Sequence, residues 1–180
     1  MRKRALLLSA FILFISAAFL KADDFLEIHT PVFTVYCDPS INLDRLYKKI
    51  NRRRLYFYKS TRPDPSSTAE EKMAFRVNLI LEKVKEILGM YPASMNFKIK
   101  IFKDQVSVTD AYRGITGRND KVKAFYVHKL RTIFTSEQGV TDSVLAHEMG
   151  HLLQNYYFVA PPSAKISELL SIYVDTNLEE

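Results

Sequence analysis

Ala146-His147-Glu148-Met149-Gly150-His151-Leu152 places two histidines four residues apart with a glutamate between them. On an α-helix, positions i and i+4 stand one turn apart on one face, so both imidazoles can reach a single ion. Neutral imidazole is a standard zinc ligand, and zinc favours four-coordinate tetrahedral geometry. With 4 His and ten Glu in 180 residues, chance gives this pattern in about one such chain in two hundred.

The flanking residues predict a helix over 141–157. Thr141 is a good N-cap, and Leu145, Met149, Leu152 and Tyr156 form an apolar stripe beside the histidine face. Gly150, inside that helix, costs about 1 kcal/mol relative to Ala, which implies that another backbone approaches closely there. A zinc site of this kind takes three protein ligands and keeps a fourth position for water. His147 and His151 supply two, and Glu148 is left to handle a proton. Glu168, 17 residues past His151, is the candidate third ligand. It lies on a helix predicted over 163–176, after a Pro161-Pro162 break that lets the chain reverse and lay one helix beside the other. Asp175 is the next candidate, while Glu179 and Glu180 stand closer to the terminus.

Upstream of this pair, residues 31–37 read as a strand and 43–58 as a helix, with Leu43, Leu46, Tyr47 and Ile50 on one face. Two prolines mark 60–66 as a loop. Ser67 and Glu70 have capping-box spacing and open a long helix with Met73, Val77, Ile80, Leu81, Val84 and Leu88 on one face and Gly89 as its stop signal. Phe97-Lys98-Ile99-Lys100-Ile101 alternates as a half-buried strand does. The polar stretch holding Gly114 and Gly117 reads as a turn, and 123–127 with 131–135 as a strand pair joined around His128 and Lys129. The layout is α+β: a small mixed sheet packed on helices, with the chemistry-bearing helices last.

The chain has 180 residues, 47% hydrophobic and 26% charged, which suits one domain. Arg2, Lys3 and Arg4 followed by the apolar run Ala5–Leu20 read as an export signal, so residues 1–22 are expected to be removed and 23–180 to form the domain. Cleavage after Ala18 or Ala22 would start the mature chain near Phe19 or Asp23. The location expected is periplasmic or secreted, with membrane attachment only if this segment stays uncleaved. Residues 1–22 hold four of the 26 Lys and Arg and none of the 20 Asp and Glu, so the formal charge of +6 falls to +2 without them. That balance argues for no nucleic-acid partner. Arg52-Arg53-Arg54 reads as a solvated helix face. Cys37, the one cysteine, excludes an internal disulfide and reads as a small buried hydrophobe within a strand.

The segment from Val140 to Glu180 resembles the gluzincin branch of zincin metallopeptidases, and more narrowly the small bacterial peptidase-MA-like domains. The resemblance is carried by His147-Glu148-x-x-His151 running into Leu152-Leu153-Gln154, then Pro161-Pro162, then Ser167-Glu168-Leu169-Leu170-Ser171-Ile172-Tyr173. The upstream order of elements is also similar, so the likeness covers roughly residues 31–176. It implies a zincin-like fold and a zinc-dependent peptidase with Zn2+ on His147, His151 and Glu168. In such an enzyme Glu148 acts as general base and then acid on a peptide or protein substrate. Departures are Leu169 where the family has Gly, no Trp before the second helix, and Ile172 where thermolysin-like enzymes carry a carboxylate behind the ligands. Asp175 is a candidate substitute for that carboxylate, and Tyr156, Tyr157 and Tyr173 are candidate oxyanion donors. A rival expectation is a non-catalytic, zinc-stabilised binding module.

Overall fold

The computed structural model describes residues 25–50 and 63–178. The export signal, the helix beyond Ile50, the Arg52–Arg54 run, Glu179 and Glu180 lie outside the described residues.

Five strands form one mixed sheet: β1 (Leu26–His29), β2 (Phe33–Cys37), β3 (Phe97–Phe102), β4 (Ala124–Val127) and β5 (Thr132–Ser136). Their order is β1-β2-β3-β5-β4. The central β2, β3 and β5 are parallel, and the outer strands β1 and β4 run antiparallel to their neighbours. Five α-helices accompany the sheet among the described residues: α1 (Leu43–Ile50), α2 (Ala69–Leu88), α3 (Gln105–Thr116), α4 (Asp142–Tyr157) and α5 (Ala164–Thr176). The protein is therefore α+β.

Strand alternation builds the main core. Ile28, Val35, Ile99, Ile133 and Tyr126 lie in register across all five strands, so one row of side chains crosses the sheet on a single face. That face meets Leu46 and Ile50 of α1, Val77, Ile80 and Val84 of α2, and Leu145, Met149 and Leu152 of α4. The opposite face is covered over β4 and β5 by α3, whose Val108 and Tyr112 pack on Phe125 and Phe134. The Phe134 ring stacks on Phe125 at 4.8 Å between centroids. Two-sided cover explains why β5 is buried at every position while β3 keeps Lys98 and Lys100 outside.

Three sequence expectations need correction. The strand expected over 31–37 begins at Phe33, because Pro31 and Val32 make the turn of a hairpin with β1. Thr30 closes that turn, its hydroxyl accepting from the Phe33 amide at 2.9 Å. The capping box belongs to Thr68 and Glu71, one residue beyond Ser67 and Glu70: Thr68 N–H donates to Glu71 Oε2 at 2.7 Å, and Glu71 N–H to Thr68 Oγ1 at 3.2 Å. Ser67 cannot cap, since its own amide closes a turn onto the Asp64 carbonyl at 3.0 Å. The Gly114–Gly117 stretch is not a turn but the end of α3. Asp104 caps that helix, accepting from Ser107 N–H at 2.9 Å, and Gly117 ends it with φ 71°, where a glycine carries no steric penalty. Val, Ser and Thr are weak helix formers, so α3 owes its existence to the packing of Val108 and Tyr112.

A buried ion pair fixes where α4 begins. Arg76 of α2 reaches Asp142, the first residue of α4, with 3.6 Å between Nη2 and Oδ2, and its Nε donates to the Ile50 carbonyl at 2.7 Å. Both side chains are at most 5% exposed, and a lone charge left there would be uncompensated. Asp142→Ala is expected to lower unfolding stability by about 3–5 kcal/mol in chemical denaturation. Arg76→Met combined with Asp142→Leu is expected to recover most of that loss. A single substitution costing under about 1 kcal/mol would show that the pair does not anchor α4.

Candidate metal centre

Thr141 caps α4, its hydroxyl accepting from Val144 N–H at 3.1 Å, and Leu145, Met149 and Leu152 on the core side are fully buried. The adjacent face carries His147 and His151, whose rings meet edge to face with centroids 5.0 Å apart. Pro161 and Pro162 lie in the reversal, Ser163 caps α5, and Glu168 comes round to the histidines from that helix. His147 Nε2 stands 3.4 Å from Glu168 Oε1, and His151 Nε2 stands 3.3 Å from Glu168 Oε2. One donor atom from each of the three residues can be chosen so that all lie within 4.8 Å of one another.

The close approach expected at Gly150 has a definite partner. A Cβ on Gly150 would stand 2.9 Å from Ser171 Oγ and 3.1 Å from Ser171 Cα, so α5 crosses against the bare backbone of α4. Gln154, one turn further, holds the crossing: its Nε2 donates to the Gly150 carbonyl at 3.0 Å, the Ser167 carbonyl at 3.2 Å and Ser171 Oγ at 3.4 Å. Ser167 Oγ in turn meets His151 Nδ1 at 2.9 Å, which leaves Nε2 directed at Glu168. An imidazole held at one nitrogen presents the other in a fixed direction, as metal-binding histidines require. Residue chemistry alone gave Ser167, Ser171 and Gln154 no role. The available signal was the serine directly before Glu168.

Glu148 has a different environment from Glu168. It is buried, at 8% exposure, whereas the Glu168 side chain is 54% exposed. Burial pushes the Glu148 carboxyl up to about 7, the negative charge of Glu168 adds to this, and a hydrogen bond from the Tyr126 backbone of β4 opposes it. His151 is shifted down by burial first and by His147 second, against the pull of Glu168. A lowered value favours the neutral imidazole, which is the ligating form.

Two imidazoles and a carboxylate are donors of the kind that zinc takes, and each imidazole faces a different oxygen of the same carboxylate. Asp175 is not in this group. It accepts a hydrogen bond from Ser143 Oγ, one turn before His147, so it neither joins the cluster nor stands behind its ligands. The three tyrosines are placed elsewhere too. Tyr156 donates its hydroxyl to the Asn96 carbonyl, the Tyr157 ring lies against Phe158, and Tyr173 is half exposed on the outer face of α5. Cys37 is fully buried in the main core, and burial together with Asp38 pushes its thiol up to about 12, which leaves it unreactive. A cavity of about 990 Å³ lies between α3 and the start of α4, lined by Gln105, Thr109, Val122, Ser143, Val144 and Asp175, and none of His147, Glu148, His151 or Glu168 lines it.

The chain matches no family model, no curated protein and no solved structure. The functional reading therefore stands on the residues themselves.

Glu148 makes the metal-free protein sensitive to pH. Its folded value lies above its unfolded value of 4.5, so its contribution to stability is full below about 4.5 and is lost as pH rises towards about 7. Thermal unfolding in a chelator, comparing wild type with Glu148→Gln, is expected to show the variant gaining on wild type across that window. The gain should reach up to roughly 3 kcal/mol above pH 7. Parallel pH profiles for the two proteins would remove the burial penalty assigned to Glu148.

Proposed function

We propose that the protein is an exported zinc metallopeptidase of gluzincin type, with His147, His151 and Glu168 as metal ligands and Glu148 as general base and acid. The observation that carries this reading is the convergence of both imidazole Nε2 atoms on the Glu168 carboxylate, with Glu148 buried beside them rather than among them. A purely structural site has no use for a second, buried carboxyl on the histidine helix.

Bound zinc supplies Lewis-acid polarisation of a substrate carbonyl and acidifies water at its open position. The chain's own residues do the rest. Glu148 takes a proton from the attacking water and returns it to the leaving amine, a pair of roles suited by a carboxyl tuned towards neutral pH. Ser167 holds His151 in one orientation. The zincin-like assignment rests on the His147-Glu148-x-x-His151 spacing with Glu168; the antiparallel edge strand β4 reaches Glu148 of α4 through the Tyr126 backbone. Among the described residues only β5 pairs with β4, which leaves its other edge for an extended peptide. The basic, apolar N-terminal segment supports export, and the near-neutral remainder supports a peptide or protein substrate over nucleic acid.

The second reading, a zinc-stabilised binding module, is favoured by one specific observation. Among the described residues no tyrosine hydroxyl hydrogen-bonds at the cluster, and that of Tyr156 is engaged by Asn96. Metal analysis together with a search for new peptide termini in exported proteins separates the two readings. His147→Ala, His151→Ala and Glu168→Ala are each expected to lose most of the zinc, and Cys37→Ser none. Glu148→Gln should keep about one zinc per chain while activity falls by several orders of magnitude. Equal cleavage by wild type and Glu148→Gln would remove Glu148 as the base. Bound zinc with no cleavage from either would favour the binding module.

A further inference from the structure

Helix α5 is apolar on two sides. Its inner side packs Leu170, Ser171 and Val174 on the body of the protein, and Glu168 and Asp175 lie along one border. Its outer side exposes Ile166, Leu169, Ile172 and Tyr173, each between 45% and 53% accessible. A surface helix normally carries charged and polar residues opposite its core stripe, whereas one that is apolar all round is buried. The chain entering α5 adds Phe158 and the fully exposed Val159.

The geometry points to this outer face of α5 as the interface of a symmetric homodimer, in which α5 of one protomer packs against α5 of a second copy. Spacing supports a helix as the occupant. Ile166, Leu169 and Tyr173 follow one another at +3 and +4, the seam along which two helices interlock. A two-fold axis brings the same patch together from both sides, so an apolar stripe is complementary to itself, with the exposed Lys165 and Thr176 at its two ends. Area supports a stable contact. These six side chains, from 37% accessible at Phe158 to fully exposed at Val159, present several hundred Å² together, set against the roughly 800 Å² per partner of a standard interface. Charge argues against a lipid surface as the occupant: Lys165 is the only cation on α5, and Glu168 and Asp175 border the stripe.

The inference does not depend on zinc or on catalysis, and its test uses neither. Sedimentation equilibrium of the full chain is expected to give a dimer for wild type. Ile166→Glu combined with Tyr173→Glu should weaken dimerisation at least ~100-fold and leave the helical circular dichroism and the melting profile of the subunit intact. Leu169→Ser, which adds no charge, should weaken it less and serves as the control against misfolding. A monomeric wild type overturns the proposal, as does a charged double variant that still dimerises, which would place the contact elsewhere. Sedimentation of a monomeric wild type with phosphatidylcholine vesicles, abolished by the double variant, would also overturn it and assign the stripe to lipid.

Discussion

The crossing of α4 and α5 at Gly150 and Ser171 is the constraint on which the centre depends. At that point one helix has no side chain and the other has a hydroxymethyl group, so the two backbones stand closer than larger residues would allow. Gln154 converts this closeness into a fixed register by donating one amide group to acceptors on both helices. Register matters because Glu168 precedes Ser171 by one turn less a residue, as His147 precedes Gly150. A shift of one residue along either helix would carry the carboxylate about 100° round its axis and away from both imidazoles. Close packing and hydrogen bonding here serve geometry more than stability.

A second constraint acts from the other side of α4. Arg76 holds Asp142 at the start of the helix, and the stripe of Leu145, Met149 and Leu152 seats it on the sheet face that carries Ile133 and Tyr126. Because α4 follows β5 after a short connection, it lies over the β5–β4 edge of the sheet. The backbone of β4 therefore comes within hydrogen-bonding reach of Glu148. Helix α3, on the far face, stacks Phe125 and Phe134 together and so fixes β4 to β5. The centre thus rests between two independently packed partners, the sheet edge and α5.

The sequence was most legible where a pattern is local. The apolar stripes of α2 and α4, the alternation of β3, the cap at Thr141 and the demand for a close neighbour at Gly150 all follow from spacing within one element. What escaped was decided by contacts between elements. Helix α3 has weak intrinsic propensity and exists because Val108 and Tyr112 find the aromatic face of β4 and β5; its one local signal is the N-cap Asp104. The four-residue β1 is too short to announce itself without its hairpin partner. The capping box lies one residue further on because Ser67-x-x-Glu70 and Thr68-x-x-Glu71 satisfy the same spacing, and the turn from Asp64 to Ser67 chooses between them. At the centre, the histidines could be placed on one face from the sequence. The hydrogen bond between Ser167 and His151 and the engagement of Tyr156 by Asn96 join residues 16 and 60 positions apart, beyond any local pattern.

Two carboxylates flank the paired histidines, and their surroundings divide the work between them. Glu168 reaches the imidazoles from a helix border open to water, where a carboxylate keeps its charge readily and can face a cation without a large desolvation cost. Glu148 sits on the histidine helix itself, enclosed between α4 and β4, where burial and the charge of Glu168 both favour its protonated form. Environments that separate two such groups are what acid–base chemistry at neutral pH requires: one carboxylate that stays ionised and one that exchanges a proton. The Tyr126 backbone tempers the shift, so the proton on Glu148 is held near neutrality rather than locked in place. On this electrostatic ground, more than on their order in the chain, the proposed reaction gives the ligand's part to Glu168 and the proton carrier's part to Glu148.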